Sequence, residues 1–174
     1  YDIAETTALE SVTIMLDYYM YTTPLSVPGG ELVVALRDTT LMSATTFDPG
    51  DGVIATSDFY LVTQDDIDAG FISVPMNDVE MTPEAYYISV EMYSNGNETD
   101  IYIMDDETIP QPSYLSMIYI PGDQVYSNGE AVGIRMVTND AAVGLEEKIS
   151  AFNVYPNPSN GILNIELNET GIYS

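Results

Sequence analysis

The sequence predicts an all-β protein: an antiparallel β-sandwich of the jelly-roll-like or immunoglobulin-like kind, followed by the first strands of a second small β-sandwich. Apolar and polar residues alternate with a period of two along most of the chain. Turn residues separate about eight such runs, as expected for a sandwich. One short stretch, TQDDIDAG, is helical in character, with Thr63 as N-cap and acids in the first turn.

The predicted strands follow one another along the chain. In SVTIMLDYYMY, the side chains of Val12, Ile14 and Leu16 fall on one face. Turn residues then precede ELVVALRD and FISVPM. The run AYYISVEMY alternates in the same way, and the following SNGN predicts a hairpin with DIYIMD. SYLSMIYI and EAVGIRMV complete the set.

The domain organisation follows from where this pattern stops. Residues 138–150 show no strong period, and alternation restarts at AFNVYP and ILNIEL, where Leu163, Ile165 and Leu167 share a face. We therefore predict a β-sandwich module at 1–140, a linker at 141–148 and a second β unit at 149–174. Because the chain does not begin with Met and shows no signal peptide, we expect a mature or trimmed piece of a longer product.

The charge of the chain restricts its partners. Three basic residues accompany 28 acidic ones, which gives a formal net charge of -25. Nucleic acid is excluded as a partner, because phosphate binding requires clustered Lys and Arg. An anionic membrane surface repels such a chain, and no apolar run approaches the roughly 18 residues of a membrane helix. High salt or divalent cations screen the charge, so we expect a saline exterior.

The residue types that are missing argue against catalysis. The sequence has no histidine and no cysteine, which removes the usual general base, the commonest zinc ligand and thiol chemistry. Paired carboxylates in principle cleave glycosides, but an acidic chain offers many pairs without a defined separation. We therefore expect no enzyme activity.

The stretch VYPNPSNGILNIEL carries the strongest motif. Pro156 and Pro158 remove two backbone donors, while Ser159, Asn160 and Gly161 supply turn chemistry. From these residues alone, an ordinary corner of a β-sandwich is one explanation.

The same stretch resembles the start of the C-terminal sorting domain of the type IX secretion system, found on proteins exported by Bacteroidetes. That family opens with a hydrophobic residue, Tyr-Pro-Asn-Pro, a small polar residue, a variable residue, Gly and an alternating strand. The matching positions here are Val154, Tyr155, Pro156, Asn157, Pro158, Ser159, Gly161, Leu163 and Ile165. The resemblance implies the type IX secretion machinery as a partner and a location outside the cell or on its outer surface.

This resemblance covers about the last 25 residues, residues ~149–174, and only the N-terminal part of the family pattern. The family's later Gly-Arg turn and closing strand are missing, so we expect further strands to complete the domain. Upstream, the stretch from FDPGDG to AYYISVEMY resembles jelly-roll-like modules of secreted Bacteroidetes proteins. Asp38-Thr39-Thr40 resembles the short Asp-Thr-x site at which these bacteria attach O-glycans, which makes Thr39 a candidate glycosylation site.

Acidic loops are candidate calcium sites, because calcium prefers oxygen ligands on turns. Asp48 and Asp51 lie in FDPGDG, and Asp66 and Asp68 lie in DDIDAG. A third cluster is Asp105–Glu107. The alternative for each cluster is a solvated acidic loop on a very acidic protein.

Tyrosines are candidates for a polysaccharide-binding face, since aromatic rings stack on sugars. The candidates are Tyr18, Tyr19, Tyr21, Tyr86, Tyr87, Tyr93, Tyr102, Tyr114, Tyr119 and Tyr126. The alternative is that tyrosine is a good strand residue that fills the core of a sandwich.

Three functions are consistent with the sequence. The first is a non-catalytic stalk, spacer or adhesion module of a secreted or cell-surface protein. The second is a filament subunit whose open C-terminal strands complete a neighbouring copy. The third is a calcium-dependent carbohydrate-binding module of a secreted hydrolase.

Overall fold

A computed structural model describes residues 1–19, 22–39, 50–113, 115–121, 125–139, 152–155 and 164–167. The chain divides into two compact units, Tyr1–Ala142 and Val143–Ser174. In chain order the elements are β1 (Thr7–Met15), β2 (Tyr18–Tyr19), β3 (Thr23–Pro24), β4 (Glu31–Asp38), β5 (Val53–Thr56), β6 (Tyr60–Leu61), α1 (Gln64–Ala69), β7 (Phe71–Met81), β8 (Tyr86–Tyr93), β9 (Asp105–Pro110), β10 (Met117–Tyr119), β11 (Val125–Ser127), β12 (Glu130–Val132), β13 (Ile134–Asn139), β14 (Phe152–Tyr155) and β15 (Asn164–Leu167).

The first unit is built on two antiparallel sheets. One sheet has the order β13-β1-β7. In the other, β4 is central, with β8 along one edge and β5 and β6 in succession along the other edge. The predicted all-β, sandwich-like class is therefore confirmed.

The core lies between these two sheets. Val12 and Ile14 of β1, and Leu16 directly after it, are buried as their alternation predicts, and Leu32 and Leu36 of β4 belong to the same hydrophobic cluster. Each such side chain contributes roughly 1.5–3 kcal/mol by leaving water. From Ser11 to Met15 of β1, buried residues alternate with half-buried ones, which fixes the inward face of that strand, whereas residues 34–37 of β4 are buried on both faces.

The helix α1 contributes one side chain to this core. Ile67 is its buried residue, and Thr63 is its N-cap, as predicted. The helix ends at Gly70, which has a φ of 79°. That left-handed conformation is one that glycine adopts without strain, so the chain leaves the helix directly into β7.

The predicted hairpin between Tyr86–Tyr93 and the following DIYIMD is wrong. The turn itself forms, with positive φ at Asn95, Gly96 and Asn97. However, β8 pairs with β4 over its whole length, while Ile103 bridges to Leu16. Turn chemistry predicts where a chain reverses, but not which strand becomes the partner.

The predicted single strand EAVGIRMV is divided at Gly133. Residues before it form β12 and pair with β9, whereas residues after it form β13 and pair with β1. A Cβ at Gly133 would lie 2.9 Å from the carbonyl oxygen of Met104 and 2.9 Å from the Cβ of Met15. The absence of a side chain therefore lets three backbones approach closely where the strand changes partners.

Strands β9 to β12 form an arm of nested hairpins. β9 pairs with β12 at its base, and β10 pairs with β11 further out. The amide of Gln111 donates to the carbonyl of Gly129, and the amide of Asn128 donates to the carbonyl of Ser116. These two hydrogen bonds connect the β9–β12 pair to the β10–β11 pair.

Candidate functional site

The strands that contain the two ends of the predicted sorting motif pair with each other. β14 and β15 are antiparallel, with Val154 opposite Ile165 and Tyr155 opposite Asn164. Within the described residues, neither strand pairs with a strand of the two main sheets. The motif therefore connects two neighbouring strands of the second unit. Its remaining residues, Pro156, Asn157, Pro158, Ser159, Gly161 and Leu163, lie outside the described part of the chain.

The carboxylate of Asp66, a calcium candidate, is held in a capping box. One of its oxygens accepts from the Thr63 amide at 2.8 Å and from the Thr63 hydroxyl at 2.7 Å. The other accepts from the Tyr60 hydroxyl at 2.9 Å. Both oxygens thus serve the start of α1, which accounts for an aspartate at this position without a metal.

The contact with Asp66 also changes the pKa of Tyr60. Burial, the hydrogen bond to Asp66 and the negative charge of Asp66 together raise the pKa of Tyr60 to about 12. The neutral phenol is therefore the form that supports the capping box.

The other calcium candidates are in different settings. Asp68 accepts from the side-chain amide of Gln64 at 2.8 Å, and the backbone carbonyl of Asp51 accepts from Arg37 at 2.7 Å. Asp48 lies outside the described residues. Among the residues that are described, no group of three or more acidic side chains is arranged to hold a metal ion. Calcium binding stays a prediction.

The third acidic cluster lies at the base of the arm. Burial, followed by the charges of Asp105 and Glu107 and a hydrogen bond to Asp105, raises the pKa of Glu130. Next to it, the hydroxyl and amide of Thr108 donate to Asp106 and lower the pKa of that carboxyl. Both pKa shifts therefore arise from contacts between residues of the arm.

Thr39, the glycosylation candidate, is exposed and directly follows β4. The preceding Asp38 is half-buried, and its amide donates to the carbonyl of Gly52 at 2.9 Å. The threonine side chain is therefore accessible at the end of a well-anchored strand.

Among the candidate tyrosines whose side chains the structure describes, not all lie on the surface. Tyr86 belongs to the core, where its hydroxyl contacts Thr82, and the Tyr18 hydroxyl donates to the Ile67 carbonyl at 2.5 Å. For these two residues the core-filling alternative is confirmed. Tyr102 and Tyr126 are exposed, while Tyr21 and Tyr114 lie outside the described residues.

An exposed cluster does form on the outer face of the four-stranded sheet. Glu31 of β4 lies opposite Leu61 of β6 on one side and opposite Tyr93 of β8 on the other. The ring of Phe59 contacts that of Tyr93, with centroids 5.8 Å apart and planes 44° apart. We call these four residues, Phe59, Leu61, Glu31 and Tyr93, the outer row.

Successive side chains of a strand point to opposite faces of the sheet. Leu32 is fully buried, so the adjacent Glu31, with Leu61 and Tyr93 opposite it, lies on the solvent face. Phe59 is 69% exposed, Leu61 56% and Tyr93 38%. Phe59 precedes β6 and Tyr93 lies in β8, on opposite edges of β4. Their rings therefore meet across the outer face of the central strand.

Arg37 occupies the other end of the same face, and sequence reasoning missed it. It lies opposite Tyr87 and Val53, yet only 5% of it is exposed. Its guanidinium donates to the Ser89 hydroxyl at 2.8 Å and to the Asp51 carbonyl. Burial lowers the pKa of Arg37, and the charges of Glu91 and Asp51 oppose that shift. The sequence signal that could have identified Arg37 is its position as the single basic residue in the apolar strand ELVVALRD.

Within the described part of the chain, no helix has the length and apolarity needed to cross a membrane. Neither a protein-family model, nor a curated protein, nor a solved structure matches this chain.

Proposed function

We propose that this chain is a non-catalytic β-sandwich module of a secreted or cell-surface protein that is exported by a type IX secretion system. Its role is that of a stalk, spacer or adhesion module. The observation that carries this proposal is the motif Val154-Tyr155-Pro156-Asn157-Pro158, followed by a small polar residue, Gly161 and an alternating strand.

The structure supports the proposal in two ways. The two ends of the motif lie in a pair of antiparallel strands, as expected at the start of a small β domain. These strands belong to the unit Val143–Ser174, while the main sandwich belongs to Tyr1–Ala142. The division is consistent with a cargo module followed by a sorting signal.

The composition supports an exterior location and a binding or spacing role. A net charge of -25 is tolerated where salt or divalent cations screen it. The absence of histidine and cysteine from the sequence removes the most common catalytic side chains.

An export assay tests the proposal. The gene product is expressed in a Bacteroidetes host with a working type IX system and in an isogenic strain that lacks it. An epitope tag is inserted at Gly96, because this exposed turn leaves open space around the residue. We expect tagged protein in the medium or on the surface of the first strain, and retention inside the second.

A matched pair of variants tests the motif itself. The double variant Pro156→Ala/Pro158→Ala should lose export. The control Pro28→Ala/Pro83→Ala, which changes two exposed prolines of the sandwich, should be exported normally. Equal export from both strains, or from both double variants, contradicts the proposal.

A filament subunit is the second candidate. Within the described residues β14 and β15 pair only with each other, and the edge of a two-stranded sheet can accept a strand from a neighbour. Light scattering on the purified chain, in millimolar calcium and after chelation, distinguishes the candidates. A monomer in both conditions excludes the filament, whereas a polymer that dissolves on chelation supports calcium-linked assembly.

A further inference from the structure

We propose that the outer row, Phe59, Leu61, Glu31 and Tyr93, is a docking surface for a lysine- or arginine-bearing segment of a partner protein. This inference is independent of the export route. It rests on the juxtaposition of exposed aromatic rings, an exposed aliphatic side chain and a carboxylate on one face of the sheet.

The apolar residues of the outer row, Phe59 and Leu61, do not belong to the hydrophobic core. Phe59 contributes nothing to the buried core at 69% exposure, and it contacts Tyr93 on the surface. Leu61 is also more exposed than buried. Adjacent exposed apolar side chains on one sheet face are typical of an interaction surface.

The carboxylate in the row decides which partner fits. Glu31 lies between Leu61 and Tyr93 in register, where side chains on neighbouring strands have Cβ atoms roughly 5 Å apart. Within the described residues it has no ion-pair partner, and a second carboxylate, Glu91, accepts from the Tyr93 hydroxyl at 2.7 Å. Glu31 therefore gives the row a carboxylate acceptor and negative charge.

Lysine and arginine match both parts of this surface. Their methylene stems pack on apolar side chains such as Leu61, while the charged head stays accessible to a carboxylate. The faces of the Phe59 and Tyr93 rings attract cations as well. A second copy of this chain and an anionic polymer are both disfavoured, because the chain carries a net charge of -25.

Binding of a defined probe tests the proposal. The probe is a fluorescent peptide of alternating lysine and glycine, and its anisotropy is measured against purified protein in about 0.15 M NaCl, where distant charges are screened. We expect Phe59→Ala to weaken binding about two- to fivefold, which is the effect of one exposed cation–π contact. Glu31→Gln should weaken it by a similar factor.

Matched controls separate the row from general charge attraction. Phe71→Ala removes an exposed ring from β7, and Glu80→Gln removes an exposed carboxylate from the same strand. Both should leave binding nearly unchanged. Tyr93→Phe, which keeps the ring but loses the bond to Glu91, should retain most of the affinity.

Two outcomes overturn the proposal. One is an equal loss in the variants and their controls, which would mean nonspecific attraction. The other is a neutral glucose hexasaccharide that binds with the same dependence on Phe59 while the lysine peptide shows none. A thermal melt of each variant establishes that it is folded before its affinity is compared.

Discussion

Arg37 illustrates how one buried side chain links three segments of a sheet. Its guanidinium connects β4 to Ser89 of β8 and to the backbone at Asp51, beside the carboxylates of Glu91 and Asp51. Because the residue is almost fully buried, its loss removes the donor to the Ser89 hydroxyl and to the Asp51 carbonyl where water has little access.

We expect Arg37→Met to lower the free energy of unfolding by about 2–4 kcal/mol, measured by urea titration. The side chain of methionine fills similar space but donates no hydrogen bond. Arg135→Met is the control, because Arg135 is exposed, and it should cost less than about 0.5 kcal/mol. Equal losses in the two variants would show that the Arg37 contacts add no stability.

The raised pKa of Tyr60 predicts that the free energy of unfolding depends on pH. Its pKa is about 12 in the folded protein, above the ordinary value of 10.0. The unfolded chain therefore releases this proton at lower pH than the folded chain. The stabilising contribution is complete below about pH 10 and is lost as the pH rises toward about 12.

Unfolding free energies at pH 9 and pH 11 test this expectation. From pH 9 to pH 11, Tyr60→Phe should lose less stability than the unmodified protein, since it has no phenol to ionise. Tyr102→Phe, at an exposed tyrosine, should behave like the unmodified protein. If all three proteins lose the same amount, Tyr60 does not carry the effect.

At the scale of elements, α1 is a single short helix held by its ends. It spans Gln64–Ala69, too few residues to be stable alone. The capping box, the Gly70 end and the burial of Ile67 fix it against the core.

Thr63→Ala should lower stability by about 1 kcal/mol, because the Asp66 amide loses its acceptor and the Asp66 carboxylate loses a donor. Gln64→Ala, beside the cap but outside the capping box, should cost less. Thermal melts or urea titrations give the comparison.

The same helix tests the calcium prediction. If Asp66 serves only the cap, calcium shifts the melting temperature of the unmodified protein and of Asp66→Ala equally. A calcium-dependent gain that disappears in Asp66→Ala would instead identify this carboxylate as a ligand.

At the scale of the molecule, charge sets the conditions for stability. Folding concentrates a net charge of -25 into a smaller volume, and the resulting repulsion weakens as salt shortens the screening length. Raising NaCl from about 0.02 M to about 0.5 M should therefore raise the melting temperature by several degrees. KCl should give the same shift, and a melting temperature that stays constant or falls would contradict the screening argument.

Alternation along the chain determined the all-β class and the inward face of β1. The preceding turn residues placed β4, which forms at ELVVALRD as predicted. The cap of α1 and the turn after β8 could also be predicted from the sequence, because they depend on residues close in sequence. The motif at 154–165 was also identified from local residue types.

Only the tertiary structure decided which strands are neighbours. β8 pairs with β4 rather than with the segment after its turn, and the strand through Gly133 changes partners midway. The burial of Arg37 and the meeting of Phe59 with Tyr93 follow from that pairing. The physical reason is that a period of two specifies the face of a strand, whereas its partner is selected by packing between residues far apart in sequence.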